Sequence, residues 1–484
     1  MKSVSGIPFS AVVFDSHSET PRYRQLYAFI RDLVLNGTLP AGVRLPSSRE
    51  LAAELAVSRN TVIAAYEMLV DEQFAESAVG RGTVVRNTAM GARAIRNSAA
   101  PRVETAVAAE AETPLRMGFA LPDAEHFPSP DWLRVLRAAV RQAQPANRRP
   151  PLAGDLQLRK LVSAYLGAYR GVRCSAKQVL ITSGGQQGLY LAAAVLRQLS
   201  AQIYVEDPGY LGARQAFTAC GFRLLPLPVD ENGIRFADAL AAPEGDTRAV
   251  YLTPSHQFPL GVALSLERRL EILDWAVERN GWIIEDDYDA EYRYRGEPLT
   301  ALAGLDRAQR VIYVGTFSKV LSPELCVGYA VVPESLLPQF RAAKAYCSGA
   351  GAGLVQRAIA DFIRGGYFLA HLRHMRELYR DKRDRFLRAL QRRSLPVTVS
   401  TPPHGMHITL KLENHYCDRE VARQMVARGF EALALSKHYL EESSTEQGLV
   451  VGFTNASDED FADFADTLGD ILQHSLAACG SSSS

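Results

Sequence analysis

Apolar residues near the start of the chain recur at helical spacing. Leu26, Phe29, Ile30, Leu33 and Val34 form one stripe, which predicts a helix over 21–35 ending at Asn36-Gly37. Ser47-Ser48-Arg49-Glu50 has the spacing of a capping box, with Ser47 at the N-cap and Glu50 three residues on. A second helix is therefore expected over 47–56, with Leu51 and Leu55 turned inward. A third, over 58–72, would bury Val62, Ala65, Tyr66 and Leu69. Two short β-prone runs, 74–77 and 83–86, bracket Val79-Gly80-Arg81-Gly82 and predict a hairpin.

The pattern then changes twice. Residues 87–114 are alanine-rich, with scattered charges and few large apolar side chains, and read as a flexible linker. From Phe119 onward short apolar runs alternate with helix-length segments: Val179–Thr182, 203–205, Ala249–Leu252, 282–284 and 311–314. That alternation predicts an α/β domain with a largely parallel sheet. Beyond about residue 370 the chain reads as a smaller α+β lobe, and Gly480-Ser-Ser-Ser-Ser as a disordered end. The expected division is a mainly helical head with a β wing over 18–86, the linker, and a body over 115–475.

Composition narrows the class without deciding it. With 47% hydrophobic and 22% charged residues, the 484-residue chain suits a soluble globular protein of two or three domains. No apolar run approaches the roughly 20 residues of a membrane span, and the N-terminus lacks the apolar core of a secretory signal. No membrane association and a cytoplasmic location are expected. The net charge is +1, and the first 86 residues balance as well. Any nucleic-acid footprint must therefore be local. Cys174, Cys220, Cys326, Cys347, Cys417 and Cys479 are scattered, so neither a metal site nor a disulfide framework is expected.

The two helices over 47–56 and 58–72 are joined by a very short turn, as a helix-turn-helix requires. The first turn of the second would present Ser58, Arg59, Asn60 and Thr61 to a major groove. Arginine can bond guanine, and asparagine adenine, through two hydrogen bonds. Ser48, Arg49 and Arg44 would sit beside phosphates, and Arg81 at the hairpin tip would reach the minor groove or the backbone. Leu45-Pro-Ser-Ser-Arg-Glu-Leu-Ala, Val57-Ser-Arg-Asn-Thr-Val and Gly80-Arg-Gly-Thr together resemble the GntR family of winged helix-turn-helix regulators. The resemblance implies a double-stranded DNA operator as partner.

The body carries a second set of motifs. Ser183-Gly184-Gly185-Gln186 follows an apolar strand and opens a helix, where free N–H groups favour a phosphate. Asp286 follows another strand at a C-terminal sheet edge, with Tyr288 two residues on. Tyr210, in Glu-Asp-Pro-Gly-Tyr, offers an aromatic ring. Lys319, in Gly-Thr-Phe-Ser-Lys, lies just past a third strand, with Thr316 and Ser318 as further phosphate contacts. A lysine, an acid, a ring and a phosphate cradle are what pyridoxal 5′-phosphate asks of a protein.

In this order the motifs resemble fold type I aminotransferases, and more closely the MocR regulators, which join a GntR head to such a body. That resemblance implies that Lys319 carries the cofactor as an internal aldimine, Asp286 pairs with the pyridine nitrogen and Tyr210 stacks. It also places Tyr288 and either His256 or Gln257 near the phenolic oxygen. It implies a homodimer and a small amino-compound effector. Two positions depart from the pattern. Cys326 stands where an arginine commonly clamps the phosphate, and Val450 near where aminotransferases place a carboxylate-binding arginine. Three functions stay open: a regulator sensing an amino compound or the cofactor itself, an aminotransferase with an appended DNA-binding domain, or a regulator whose body is a dimerisation scaffold.

Overall fold

The computed structural model describes residues 20–35, 37–78, 82–86, 115–143, 151–237, 247–294, 296, 299–349, 351–400, 403–413, 415–440 and 446–480, with a few positions before residue 20. The expected linker 87–114, Arg81 at the wing tip and the end after Gly480 lie outside the described residues. The chain divides into two compact units, Met1–Glu110 and Ala111–Ser484.

In the first unit, α1 (Arg22–Leu35), α2 (Ser48–Glu54) and α3 (Arg59–Asp71) precede an antiparallel pair, β1 (Ala75–Ala78) and β2 (Gly82–Val85). Leu26, Ile30, Val34, Leu51, Val62, Ala65, Tyr66 and Leu69 are buried together, while Phe29, Leu33 and Leu55 pack at the edge of that core. The capping box forms as its spacing requires. Ser47 Oγ accepts from the Glu50 amide at 3.2 Å, and Glu50 Oε2 accepts from the Ser47 amide at 3.0 Å. Gly82 is in the left-handed region, and a Cβ there would meet the Arg44 guanidinium at 2.8 Å. A side chain at that position would push Arg44 off the start of β2.

The second unit is built on an eight-stranded mixed sheet. In chain order its strands are β3 (Val179–Thr182), β4 (Gln202–Asp207), β5 (Arg223–Asp230), β6 (Gly233–Ile234), β7 (Ala249–Leu252), β8 (Trp282–Asp287), β9 (Val311–Thr316) and β10 (Gly328–Val331). Their spatial order is β3-β10-β9-β8-β7-β4-β5-β6. Pairings from β9 through β8, β7 and β4 to β5 are parallel, whereas β10 is antiparallel to both its neighbours. All five strands expected from the apolar runs are present. β5, β6 and β10 were not foreseen, because two are only two to four residues long and β5 carries two prolines.

Helices α4 (Ser129–Ala143), α5 (Leu156–Tyr169), α6 (Gly184–Leu196) and α7 (Leu211–Ala219) accompany the sheet. Its two faces pack into separate apolar cores. Leu180, Leu189, Ile203, Phe217, Ile284 and Val314 belong to one, and Val162, Ile181, Tyr313 and Phe368 to the other. The C-terminal lobe starts with the long helix Tyr367–Arg393. It continues into an antiparallel sheet of β11 (Val397–Val399), β12 (His407–Leu412), β13 (Leu433–Ala434) and β14 (Gly448–Gly452), ordered β11-β12-β14-β13. No helix among the described residues is long and apolar enough to cross a membrane.

Removing the α2 cap tests the local argument. In the intact chain, Ser47→Ala should destabilise α2 by about 1 kcal/mol. Hydrogen exchange should accelerate at the Glu50 amide and across α2, and leave the amides of the body unchanged.

Candidate cofactor pocket and nucleic-acid interface

In the head, Ser58 is the N-cap of α3: its Oγ accepts from the Thr61 amide at 3.1 Å and lies 2.8 Å from Thr61 Oγ1. Those two hydroxyls are spent on starting the helix. Arg59 and Asn60 are exposed in the first turn. Arg59 Nε donates to Ser48 Oγ at 3.2 Å, which ties α3 to the start of α2. Arg49 is exposed one residue further along α2, and Arg44 is held against β2. Arg44, Arg49, Arg59 and Asn60 are thus exposed and Ser48 half-buried, with Ser58 and Thr61 shaping the start of α3. Local basicity in a unit of balanced charge is what groove-directed binding needs.

In the body, a cavity of about 330 Å³ opens where the sheet's strands end. Gly184, Gly185, Gln186, Tyr210, Asp286, Tyr288, Thr316, Ser318 and Lys319 line it, so nine of the residues singled out in the sequence meet there. Phe119, Ala120, Leu189, Thr253 and Phe258 complete the wall. Each arrives for a traceable reason. β8 and β9 are parallel neighbours with Asp286 opposite Val314, so both chains leave the sheet at the same edge. β8 delivers Asp286 and Tyr288, and the turn after β9 delivers Ser318 and Lys319. Thr316 Oγ1 accepts from the Ser318 amide at 3.1 Å and fixes that turn.

The three consecutive acids of β8 have three different tasks. Glu285 accepts from the amides of Leu302 and Ala303 at 2.8 and 2.7 Å, capping a short helix. Asp287 pairs with buried Arg170 at 2.8 Å and accepts from the Tyr313 hydroxyl. Asp286 alone faces the cavity, and Tyr251 from neighbouring β7 donates to it at 2.9 Å. Burial pushes the Asp286 carboxyl up to about 7 against that bond, and the nearby acids Asp287 and Asp289 push the same way. Lys319 moves in the opposite sense. Burial lowers its pKa, while Asp289, Asp286 and Glu431 pull it back up.

The residues present fit pyridoxal 5′-phosphate. Ser183 caps α6 without any side-chain bond to it, so the first-turn N–H groups at Gly184, Gly185 and Gln186 stay available to a phosphate. Gly184 has φ +79°, a left-handed conformation that lets the chain turn from β3 into α6 at this point. Asp286 matches a ring nitrogen, Tyr210 offers a flat face, and Lys319 offers the amine. The Tyr210 ring is itself held edge-on by Phe258, at a centroid distance of 5.6 Å.

Three predicted residues stand outside the cavity wall. Ser183, the N-cap of α6, is exposed and does not line the cavity. Gln257 donates to the Pro208 and Phe258 carbonyls and accepts from Leu260, so it shapes the loop. His256 sits behind Tyr288: its Nδ1 is 3.1 Å from the Tyr288 hydroxyl and 2.9 Å from both oxygens of Asp289. Asp289, Tyr251 and Thr253 went unnoticed in the sequence, although Asp289 directly follows Tyr288. The contacts that give them meaning depend on strand register. With His407, His256 and Asp289 also bring one donor atom each within 4.8 Å of one another, a grouping the scattered cysteines could not suggest. Cys326 is exposed, with φ +47° and Sγ 3.4 Å from the Pro323 carbonyl, and contributes nothing to the cavity wall.

Comparison with known proteins agrees with both halves. Residues 22–85 match the family described as bacterial regulatory proteins, gntR family, and residues 113–445 match aminotransferase class I and II. The chain is 35% identical to the probable rhizopine catabolism regulatory protein MocR of Rhizobium meliloti, over 91% of this chain and 92% of that protein. The chain belongs to the MocR-type regulators. It is 31% identical to the pyridoxine biosynthesis transcriptional regulator PdxR of Corynebacterium glutamicum, over 93% and 95% of the two chains. The body resembles the α-aminoadipate aminotransferase LysN of Thermus thermophilus, solved with N-(5′-phosphopyridoxyl)-L-leucine. That match has a TM-score of 0.68 at 28% identity and covers 75% of this chain and 93% of the enzyme. This MocR-type chain is a DNA-binding transcriptional regulator with a pyridoxal-phosphate-type, fold type I body.

The raised Asp286 carboxyl has a consequence for stability. Its folded pKa lies above its unfolded value, so the folded state holds the extra proton between the two, and stability falls as pH rises through that window. In cofactor-free protein, Asp286→Asn should gain stability relative to the parent from about pH 4 to about pH 7 and plateau above. Thermal unfolding of both proteins across that range checks it.

Proposed function

We propose that the body is the sensor of this regulator, and that it reports a small amino compound, or the free cofactor, to the head. The observation that carries the reading is that Lys319, Asp286, Tyr288 and Tyr210 converge on one cavity in a chain whose head exposes Arg59 and Asn60. Pyridoxal 5′-phosphate, when bound, supplies an aldehyde and an electron-withdrawing ring. Around it, the start of α6 with Thr316 and Ser318 binds phosphate. Asp286 would hold a proton at the ring nitrogen, Tyr288 would bond the phenolic oxygen, Tyr210 would supply an aromatic face and Lys319 would present the amine. His256, fixed by Asp289, supports Tyr288 from behind.

A ligand switches DNA affinity only if it binds two conformations of the protein unequally. Residues 87–114 act as the linker between a head over 18–86 and a body over 115–475. The regulator works as a homodimer in the cytoplasm, on the nucleoid, with two heads reading two half-sites. An aminotransferase acting on common amino acids would need a cation for the substrate carboxylate, and among the described residues no arginine lines the cavity. Lys319 and Asp286 still permit a half-reaction.

Two measurements test this reading. Purified protein should show a visible absorbance band of lysine-bound cofactor that Lys319→Ala abolishes. Failure to see the band in the parent protein rejects the sensor. In the head, Arg59→Ala should weaken binding to the cognate operator by about 10-fold, the scale of one bidentate base contact. An unchanged affinity in a gel-shift titration would remove α3 from the groove.

A further inference from the structure

Part of the cavity wall is apolar. Phe258, Leu435 and Val450 are buried together, and Phe119, Tyr210 and Tyr288 pack against them. Val450 sits in β14 between Thr409 of β12 and Leu433 of β13, with no exposed surface. Phe119, Tyr210, Phe258 and Tyr288 also line the cavity, so this cluster is the surface that the body of a ligand meets.

Charge in the cavity runs one way. Among the described residues, Lys319 is the one cation that lines it. Three carboxylates act on that amine: Asp289, Asp286 and Glu431. Glu431 is anchored beside the wall, where its Oε2 accepts from the Phe119 amide at 2.9 Å. The nearest candidate for an anion clamp is Arg214, four residues past Tyr210. Its Nη2 donates to Asp207 at 2.8 Å and to the Glu206 carbonyl at 3.2 Å. Its Nε is buried without a partner, but the side chain does not line the cavity. The histidines around the apolar cluster bring no charge, since burial lowers His256 and His407 to about 3 and His438 to about 4. A carboxylate placed here would leave water for apolar and acidic surroundings, with Lys319, already drawn on by three acids, as the one cation to offset its desolvation among the described residues.

We infer that the effector of this cavity is a primary amine that lacks a carboxylate and carries an uncharged, apolar or aromatic body. The amine meets Lys319 and Asp286, and the body meets Phe119 and Phe258, which Val450 backs from behind. This rests on the reading that the cavity takes an amino compound, and it narrows that class to amines from which the acid group has been removed or was never present.

Matched pairs separate the classes. Full-length, cofactor-loaded protein is titrated by calorimetry with 2-phenylethylamine against phenylalanine and with isoamylamine against leucine, and the visible absorbance is followed in parallel. The expected result is that each amine binds at least about 10-fold more tightly than its amino acid, which is a difference of about 1.4 kcal/mol. Equal or tighter binding of the amino acids overturns the inference, and would point to an arginine brought by a second copy of the chain. Binding of neither member of each pair, with the visible band present, also overturns it. Absence of the band is a different failure, that of the sensor reading itself.

Discussion

The parallel pairing of β8 with β9 carries the site, because it puts a carboxylate and an amine on one cavity at one sheet edge. Asp286 is the last residue but one of its strand, and Lys319 follows the other by three residues. β10, inserted antiparallel between β9 and β3, brings the start of α6 to the same edge. It does so through close backbone packing: a Cβ on Gly328 would lie 2.7 Å from the Gly184 carbonyl carbon and 2.8 Å from the Gly315 oxygen. The phosphate cradle, the acid and the lysine are therefore three products of one strand order.

Burial sets the chemistry of that edge. A carboxyl shut away from water prefers its proton, and an amine shut away prefers to lose one. Burial moves Asp286 and Lys319 in those directions, while the charge of each opposes the shift of the other. Neighbouring charges are removed from the cavity by dedicated partners: Asp287 by Arg170, Asp207 by Arg214, and Glu285 by two helix amides. What remains is a small set of groups that a charged pyridine ring and an aldehyde would complete. The head works under the opposite rule. Arg59 and Asn60 are exposed, and the structure contributes mainly by spending Ser58, Thr61 and Ser47 on helix starts so that α2 and α3 begin at fixed places.

The sequence by itself determined the elements and most of the parts list. Helical spacing and a capping box located the three helices of the head to within two residues at either end, because local hydrogen bonds and one buried stripe specify them. Five apolar runs located the central strands, since a strand buried on both faces is continuously hydrophobic. Motif spacing picked nine of the cavity's lining residues. Only the tertiary structure decided which neighbour each of them acquired. Nothing local separates Glu285, Asp286 and Asp287, whose roles follow from strand alternation and from what each face meets. Tyr251 and His256 gain their partners across strands and loops more than thirty residues away, and Arg214 is taken out of use by Asp207. Those are consequences of register and burial, which are properties of the packed sheet and are written in no single segment of the chain.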